Sequence, residues 1–417
     1  MDGDIFSPVM AQDEEGMMRP TRVVVNLDAL AANFHAIRQR VAPAKVMPIL
    51  KANAYGHGLV PVARLMASLG ADYLGVAVLE EGILLRQAGI RTPILVLGGI
   101  WGSQIPLFLK YDLTLTASSI EKLAQIDQAA EALKTTARVH LKIDTGMERI
   151  GVHDYSAEAF LQAALHSRHV QVEGIFSHFA NADAADPASA RLQLERFHEV
   201  LRFYERRSLP PPLRHMANSA AVLRLPEATF DMVRPGILLY GVYPSPEVPR
   251  TVAVRPALTW KTRVVYFKVT QPGRPVSYGW TWTPKKQTRI VTLPVGYGDG
   301  YFRAMSNKAQ VLIRGRRYPQ VGRICMDQMM VNIGWETAYN GDEVVLIGEQ
   351  GRERITVEDL AAWAGTIPYE VLTNINTRVP RVYIGSPAHR AAALPEEQKG
   401  TTDSAEKYPP ISQIGTD

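Results

Sequence analysis

The chain has 417 residues, of which 46% are hydrophobic and 21% charged, with a net charge of +5 and a pI of about 9.1. Its length favours two domains, and its composition is ordinary for a globular protein with a large core. The basic residues are scattered without interleaved aromatic residues, so nucleic-acid binding is not expected. No stretch approaches the length of about 18 apolar residues that a membrane span requires, so no membrane association is expected either.

The single cysteine, Cys325, excludes an intramolecular disulfide framework and is typical of a reducing compartment. Residues 1–18 are acidic and polar and lack the apolar core of a secretory signal. We therefore expect a cytoplasmic protein. Its two ends, residues 1–18 and 388–417, are poor in core-forming residues and are expected to be mobile tails.

Between residues 19 and 252, short apolar runs alternate with amphipathic segments such as Ile120–Leu133 and Leu192–Arg206. Eight strands with helices between them favour a (β/α)8 barrel of the TIM type over an open doubly wound sheet. The eight apolar runs are residues 45–50, 73–78, 94–97, 113–116, 138–143, 172–177, 213–217 and 231–234.

From residue 253 to 387 the runs become short, β-branched and separated by glycine or proline turns. This texture predicts a mainly β C-terminal domain with one helix near Thr356–Trp363, so the fold class is α/β with a β-rich addition. The predicted strands are Thr262–Val269, Arg289–Pro294, Gln310–Ile313, Met330–Ile333, Glu343–Ile347 and Val382–Ile384.

Reactive side chains follow several of the predicted barrel strands. Because barrel active sites lie at the C-terminal ends of the strands, these side chains are expected to share one rim. Lys51 stands where the first strand meets a loop of small residues, where a desolvated amine could react with an aldehyde cofactor. An exposed lysine in a βα turn is the commoner situation. The other rim residues are Lys142, Asp144, Arg149, His178, Asn218, Ser219, Arg234, Gly236 and Ile237.

Three of these positions allow a structural interpretation as well. Arg149 is a donor fork suited to a carboxylate or phenolate, but it could simply pair with a surface acid. His178 could orient a catalytic group or be a hydrogen-bonded histidine at the barrel mouth. Ser219 and the amides of Gly236–Ile237 could bind a phosphate, and Ser219 could also be the N-cap of a helix.

Seven motifs, spread in order over both predicted domains, resemble those of the alanine racemase family, whose members join a barrel to a β-rich domain. The similarity extends from about Val23 to Tyr383. The motifs are Leu50–Gly58, Lys142–Arg149, His215–Ala220, Val233–Gly241, Val276–Gly279, Pro294–Gly300 and Gly322–Asp327.

The resemblance implies that the chain interconverts L-alanine and D-alanine by two-base proton transfer at Cα of a pyridoxal-phosphate aldimine. Lys51 would hold the cofactor and act on the face used by D-alanine. Tyr278 would act on the opposite face, in the active site of a partner subunit, so a homodimer with shared sites is implied. The D-alanine could serve peptidoglycan synthesis, or the reaction could serve alanine catabolism.

The resemblance also assigns the remaining site residues. Arg234 would contact the pyridine nitrogen with support from His215, Arg149 the cofactor phenolic oxygen and the substrate carboxylate, and Lys142 would be a candidate for carbamylation. His178 would hydrogen-bond the catalytic tyrosine. No metal site is expected. Further cofactor-binding positions would be Tyr55, Asn218, Ser219, Gly236, Ile237 and Tyr369, with Met326 at the substrate and Tyr297 and Asp327 at the substrate gate.

The sequence departs from the family pattern at two places. Glu148 stands where a glycine is common, and Trp280 and Trp282 replace smaller residues, with core packing expected for the tryptophans. Three other functions remain open at this point: a racemase of broader specificity, a decarboxylase on the related scaffold, and a non-catalytic cofactor carrier. The presence of Tyr278 in a complete second domain argues against a carrier.

Overall fold

The computed structural model describes residues 19–394, so the predicted tail at 1–18 lies outside the described residues. The expectation of a mobile C-terminal tail from residue 388 is wrong for its first residues, because the helix Pro387–Ala393 continues the fold there. Asp28 holds this helix, accepting from the Ser386 amide at 2.9 Å and pairing with Nδ1 of His389 at 2.6 Å. Residues 395–417 lie outside the described residues.

Eight short parallel strands form the barrel, and they correspond to the eight predicted apolar runs. Backbone bridges between Ile49 and Gly75 and between Leu95 and Thr114 link neighbouring pairs, and the last strand pairs with the first to close the ring. The strand preceding the barrel is β1 (Arg22–Asn26), and β7 is a short addition beside β6. The strands of this part are β2 (Lys45–Val46), β3 (Leu74–Val76), β4 (Ile94–Val96), β5 (Leu115–Ala117), β6 (Ala137–Asp144), β7 (Val152–His153), β8 (Val170–Phe176), β9 (Leu213–His215) and β10 (Met232–Val233).

Helices surround the barrel, and several begin at the polar caps that the sequence supplies. Asn26 accepts from the Ala29 amide at the start of α1, and Ser119 accepts from the Lys122 amide at the start of α6. The helices of this part are α1 (Leu27–Val41), α2 (Lys51–Tyr55), α3 (Leu59–Ser68), α4 (Leu79–Gln87), α5 (Ile105–Lys110), α6 (Ile120–Ala132), α7 (Ala157–His166), α8 (Ala188–Arg206) and α9 (Ser219–Arg224). Later in the chain follow α10 (Val357–Ala364) and α11 (Pro368–Thr373) of the second domain and the last helix, α12 (Pro387–Ala393).

The second domain is built on a mostly antiparallel ten-stranded sheet, with the order β12-β13-β16-β15-β14-β17-β11-β1-β19 and β18 paired to β17. The run predicted at Thr262–Val269 is two strands, because the backbone breaks at Val264 and Val265 to pair with different neighbours. The strands are β11 (Leu258–Arg263), β12 (Tyr266–Thr270), β13 (Thr288–Leu293), β14 (Gln310–Ile313), β15 (Arg316–Val321), β16 (Met329–Gly334), β17 (Glu343–Gln350), β18 (Glu353–Ile355) and β19 (Arg381–Ile384).

Strand β1 belongs to this second sheet rather than to the barrel. It pairs antiparallel with β11 and parallel with β19, with Val23 and Val25 fully buried. The expected barrel segment, 19–252, therefore begins with a strand of the other domain. The chain therefore passes from one domain to the other both before and after the barrel, and these two crossings connect the domains.

The second domain also covers one side of the barrel mouth. Arg381 donates from Nε to the Gly56 carbonyl at 3.0 Å, and a Cβ added to Gly56 would lie 2.2 Å from the Leu372 carbonyl oxygen in α11. Only glycine fits this close approach, where φ is also +79°. Within residues 19–394, no helix is long and apolar enough to cross a membrane.

Candidate active site

A cavity of about 810 Å³ lies at the C-terminal ends of the barrel strands and is bordered on one side by α11. It brings together eleven of the residues that the sequence pointed to, drawn from most of the chain. They are Lys51, Tyr55, Lys142, Arg149, His178, Asn218, Ser219, Arg234, Gly236, Ile237 and Tyr369.

Immediately after Lys51 the backbone makes a left-handed turn. Ala52, Asn53, Ala54 and Tyr55 have φ values of 52°, 56°, 52° and 51°. Such angles cost non-glycine residues roughly 1–2 kcal/mol each, so neighbouring contacts must stabilise the turn. This geometry distinguishes α2 from an ordinary helix, and it directs the chain away from the strand directly behind the lysine.

Lys51 is half-buried, and its pKa is lowered by burial and by the nearby Arg149. Glu81 acts in the opposite direction and raises the pKa. The balance of the three effects favours a lysine that gives up its proton more readily than a solvent-exposed one.

Arg234 is buried and sits at the head of a chain of imidazoles. Its Nη1 donates to Nδ1 of His215 at 2.8 Å, and its Nη2 donates to the Ser177 carbonyl at 2.7 Å and lies 3.3 Å from Nδ1 of His178. Nε2 of His215 lies 2.8 Å from Nδ1 of His140. Burial lowers the pKa of Arg234 to about 9, which still leaves it cationic at neutral pH.

The protonation states of this chain follow from its hydrogen bonds. Burial and the charge of Arg234 lower the pKa of His140 to about 3 and that of His215 well below its usual value, so both rings are neutral. Because arginine can only donate, His215 accepts at Nδ1 and carries its proton on Nε2, which donates to His140. His140 then carries its own proton on Nε2, which has no partner among residues 19–394.

Lys142 lies in β6, is 5% exposed and donates from Nζ to the Ile143 carbonyl at 2.7 Å. Burial, followed by the charge of Arg234, lowers its pKa to about 7, although Asp144 partly opposes this. At neutral pH a large share of this amine is therefore uncharged.

The loop that carries Arg149 is organised by one carboxylate. Asp144 accepts from the amides of Gly146, Met147 and Glu148 at 2.8, 2.9 and 3.2 Å with Oδ1, and from the Arg149 amide at 3.2 Å with Oδ2. These amides lower the pKa of Asp144 against the effect of its burial. The loop is thus fixed from within.

Glu148 has a φ of +53°, a left-handed conformation that glycine adopts without strain. Its carboxylate does not reach toward Arg149. It pairs with Nε2 of His153 at 2.9 Å, and this contact raises the pKa of His153. The added charge is therefore largely matched locally.

Small residues and hydroxyls form a polar cradle at one end of the cavity. Ser219 Oγ accepts from the Gly236 and Leu238 amides at 2.9 and 3.2 Å. A Cβ on Gly236 would come within 2.5 Å of the Tyr55 hydroxyl, so the space is shaped by the absence of a side chain. Hydroxyls, adjacent amides and lysine suit a phosphate-bearing aldehyde, and the residues present therefore fit pyridoxal phosphate.

The structure corrects one detail of this region. The N-cap of α9 is Asn218, whose Oδ1 accepts from the Ala221 amide at 3.1 Å, and not Ser219. Ser219 is the first helical residue, and its hydroxyl faces the Gly236 segment.

Four predicted site residues lie outside this cavity in the same chain. Tyr278, Met326 and Tyr297 are 71%, 53% and 42% exposed, and Asp327 is exposed and pairs with Arg378 at 2.7 Å. Tyr278 lines a separate groove of about 1000 Å³ formed against β12 and β13.

The expectation that the tryptophans after Tyr278 pack in the core is wrong for Trp280. This side chain is 75% exposed at the end of a short turn in the second domain. Trp282 is half-buried.

Two polar residues of the site were missed. His140 is two residues before Lys142 on β6, and the two-residue period of a strand directs both side chains to the same face. Glu81 contacts the loop after Lys51 from α4, and a glutamate in the first turn of a helix gives no local signal of that contact.

Comparison with known proteins gives the family. The profile described as "Alanine racemase, N-terminal domain" matches residues 25–244, and that described as "Alanine racemase, C-terminal domain" matches residues 257–383. The chain belongs to the alanine racemase family. Amino-acid racemisation, an isomerase reaction, is the activity that this membership indicates.

Individual alanine racemases are similar to this chain over most of its length. The alanine racemase of Carboxydothermus hydrogenoformans is 47% identical over 369 residues, which are 88% of this chain and 100% of the relative. That of Symbiobacterium thermophilum is 46% identical over 372 residues, covering 89% and 99% of the two chains.

Solved structures show the same fold. The alanine racemase of Streptomyces coelicolor has a TM-score of 0.85 at 39% identity and covers 89% of this chain and 100% of its own. That of Clostridium difficile has a TM-score of 0.84 at 38% identity, covering 89% and 97%, and its enzyme has also been solved in complex with cycloserine.

Proposed function

We propose that the chain interconverts L-alanine and D-alanine with pyridoxal phosphate bound in the barrel cavity. When bound, this cofactor withdraws electrons from the substrate Cα and makes its proton labile. The observation that carries the proposal is the placement of the two candidate bases. Lys51 opens into the cavity, whereas Tyr278 stands on the exposed surface of the other domain.

The cavity residues divide the work of binding. Ser219, Gly236, Ile237 and Tyr55 would hold the phosphate through hydroxyls and backbone amides. Arg234, a cation at neutral pH, would donate to the pyridine nitrogen. Its hydrogen bonds to His215 and the Ser177 carbonyl keep the guanidinium in one orientation.

At the other end of the cavity, Arg149 would bind the substrate carboxylate and the cofactor phenolic oxygen. The four amides that bind Asp144 fix the loop on which Arg149 stands. Lys142 would be carbamylated, with the resulting negative charge orienting Arg149.

Racemisation needs a proton acceptor on each face of Cα, because a single base would tend to return the proton to the face that it left. Lys51 would serve one face, and burial together with Arg149 lowers its pKa in the direction that this role requires. Tyr278 would serve the other face in a second copy of the chain, with Met326 contacting the substrate carboxylate and Tyr297 and Asp327 at the gate.

A homodimer with shared sites is thus part of the proposal. Tyr278, Trp280 and Met326 are large side chains that are exposed on the second domain, at 71%, 75% and 53%. A second copy covering this surface would bury them and complete both sites. We place the enzyme in the cytoplasm, in keeping with its single cysteine.

Mixing two inactive variants tests the shared site. Lys51→Ala and Tyr278→Phe homodimers each lack one base in both sites. In a mixed dimer, a shared arrangement leaves one site with both bases and the other with neither. Random reassortment makes half of the dimers mixed, so about a quarter of the wild-type activity should return.

The two parent variants prepared separately provide the baseline, and differently tagged subunits show by co-purification that reassortment took place. Reassortment without any return of activity would contradict the shared site. For the two-base assignment, Tyr278→Phe should still bind pyridoxal phosphate and exchange the α-proton of D-alanine with deuterated water, but no longer that of L-alanine. Equal exchange of both enantiomers would contradict it.

A further inference from the structure

Glu81 makes one hydrogen bond that its place in the helix does not explain. As the third residue of α4, it accepts from the amide of Val78, the N-cap, at 3.4 Å with Oε2, which is the ordinary capping contact. Oε2 also accepts from the adjoining Ala77 amide at 2.8 Å. Oε1, however, accepts from the Ala52 amide at 2.6 Å, on a separate loop.

This carboxylate therefore links the ends of two neighbouring barrel strands. Ala77 directly follows β3, and Ala52 directly follows Lys51 at the end of the first strand segment. Ala52 is also the first of the four left-handed residues. The Ala52 amide is thus the point at which the chain leaves its ordinary conformation, one residue after the lysine.

Other contacts hold the far side of the turn. The Gly56 amide donates to the Ala52 carbonyl at 3.1 Å, and Nδ1 of His57 lies 2.9 Å from the Tyr55 carbonyl. Because these bonds act after Ala52, Glu81 provides the side-chain hydrogen bond at the entrance, where it also fixes the Lys51 backbone.

Glu81 also affects the charge of the lysine. Lys51 faces a cavity rich in cations, and Arg149 disfavours its protonated form, whereas Glu81 favours it. The remaining titratable groups that line the cavity are Tyr55, Lys142, His178, Arg234, Tyr369 and Glu370. Burial raises the pKa of Tyr240, and the charges of Tyr55 and Glu81 add to this rise.

We propose that Glu81 is a positioning residue for Lys51. Its carboxylate fixes the backbone where the left-handed turn begins, and its negative charge opposes the effect of the positive charge of Arg149 on the lysine nitrogen. This inference rests on the proposed role of Lys51 and adds a residue that acts through it without touching the substrate.

Two substitutions separate the hydrogen bonds from the charge. Glu81→Gln keeps the length of the side chain but has one acceptor oxygen for the amides of two separate segments, and it removes the charge. Glu81→Asp keeps the charge but is one methylene shorter, so it cannot span both amides. Glu121→Gln is the matched control, since Glu121 is an exposed first-turn glutamate of α6, away from this cavity.

The first measurement is hydrogen–deuterium exchange of the holoenzyme, read in peptides that cover residues 47–58. Both Glu81 variants should exchange faster there than the wild type and the Glu121→Gln control.

The second measurement is the visible absorbance of bound pyridoxal phosphate as a function of pH. The midpoint of this titration should move to lower pH in Glu81→Gln and stay closer to that of the wild type in Glu81→Asp. Loss of a charge-assisted contact should lower kcat/KM by about tenfold in Glu81→Gln.

Wild-type exchange and a wild-type absorbance midpoint in Glu81→Gln would overturn the inference. If Glu81→Gln does not fold, Glu81→Asp still tests the span through the exchange measurement. A wild-type protein that binds pyridoxal phosphate but does not racemise alanine would refute the proposed function. The exchange of residues 47–58 would then still decide whether Glu81 holds the turn.

Discussion

Gly236 gives a sharp test of the cofactor cradle, because its substitution has a defined steric consequence. In Gly236→Ala the new Cβ would lie 2.5 Å from the Tyr55 hydroxyl and 3.2 Å from its Cζ. Tyr55 is only 6% exposed, and its ring stacks on Tyr240 at 4.9 Å and lies 6.1 Å from that of Tyr369. The hydroxyl must therefore move by about 0.9 Å to reach an ordinary contact, within a packed aromatic cluster.

Forcing one extra methyl group into such a site typically costs about 1–3 kcal/mol. If the displaced hydroxyl contacts the phosphate, this cost falls on cofactor binding, and the Kd for pyridoxal phosphate should rise by roughly 5- to 150-fold. Titration of the cofactor-free protein, followed by visible absorbance, measures the change directly.

The control for this experiment is Gly102→Ala, an exposed glycine whose added Cβ would meet the flexible side chains of Gln125 at 3.2 Å and Lys122 at 3.9 Å. It should bind the cofactor like the wild type. Melting of the cofactor-free proteins shows whether the cost falls on the fold instead. A Gly236→Ala protein with wild-type Kd and wild-type kcat would refute the assignment of the cradle.

Two further predictions concern Lys142 on β6 and Glu148 in the loop that follows this strand. Burial and Arg234 lower the pKa of Lys142 to about 7, so above that pH its neutral amine should add CO2 and release a proton. Carbon-13-labelled bicarbonate should then give a carbamate NMR signal that is absent in Lys142→Gln. A free amine in the wild type would disprove the carbamylation. Glu148→Gly should relieve about 1 kcal/mol of left-handed strain but lose the contact with His153. That contact raises the pKa of His153. Its contribution to the stability of the fold is therefore complete below about pH 6.5 and disappears as the pH rises through the raised pKa. The Tm of Glu148→Gly relative to wild type should then be higher at alkaline than at mildly acidic pH, and an equal difference at both pH values would contradict the pairing.

The barrel could be predicted because its determinants are local. Each buried parallel strand is a short apolar run, and all eight runs correspond to strands of the structure. Strand β1 could not be placed in the same way, since its partners Leu258–Lys261 and Arg381–Ile384 lie more than 200 residues away in the chain. Nothing in the five residues of β1 indicates which sheet they join.

The site shows the same division between local and distant signals. Lys51, Arg149 and Arg234 follow barrel strands, so the barrel rule alone placed them at one rim. The left-handed turn after Lys51 was not predictable from propensity, because of its four residues only Asn53 belongs to a type that often adopts positive φ. Its stabilising partner Glu81 is 29 residues away from Ala52.

The charges of the cavity explain what kind of ligand it is built to hold. Lys51, Lys142, Arg149 and Arg234 border one space, and burial lowers the pKa of three of them, Lys51, Lys142 and Arg234. A lowered pKa in a basic group means that the folded protein holds its positive charge at a cost in free energy. An anion in the cavity repays part of that cost. A phosphate at the cradle and a carboxylate near Arg149 would therefore be bound by side chains whose mutual repulsion they relieve. The same repulsion lowers the pKa of Lys51, and Glu81 partly opposes this effect.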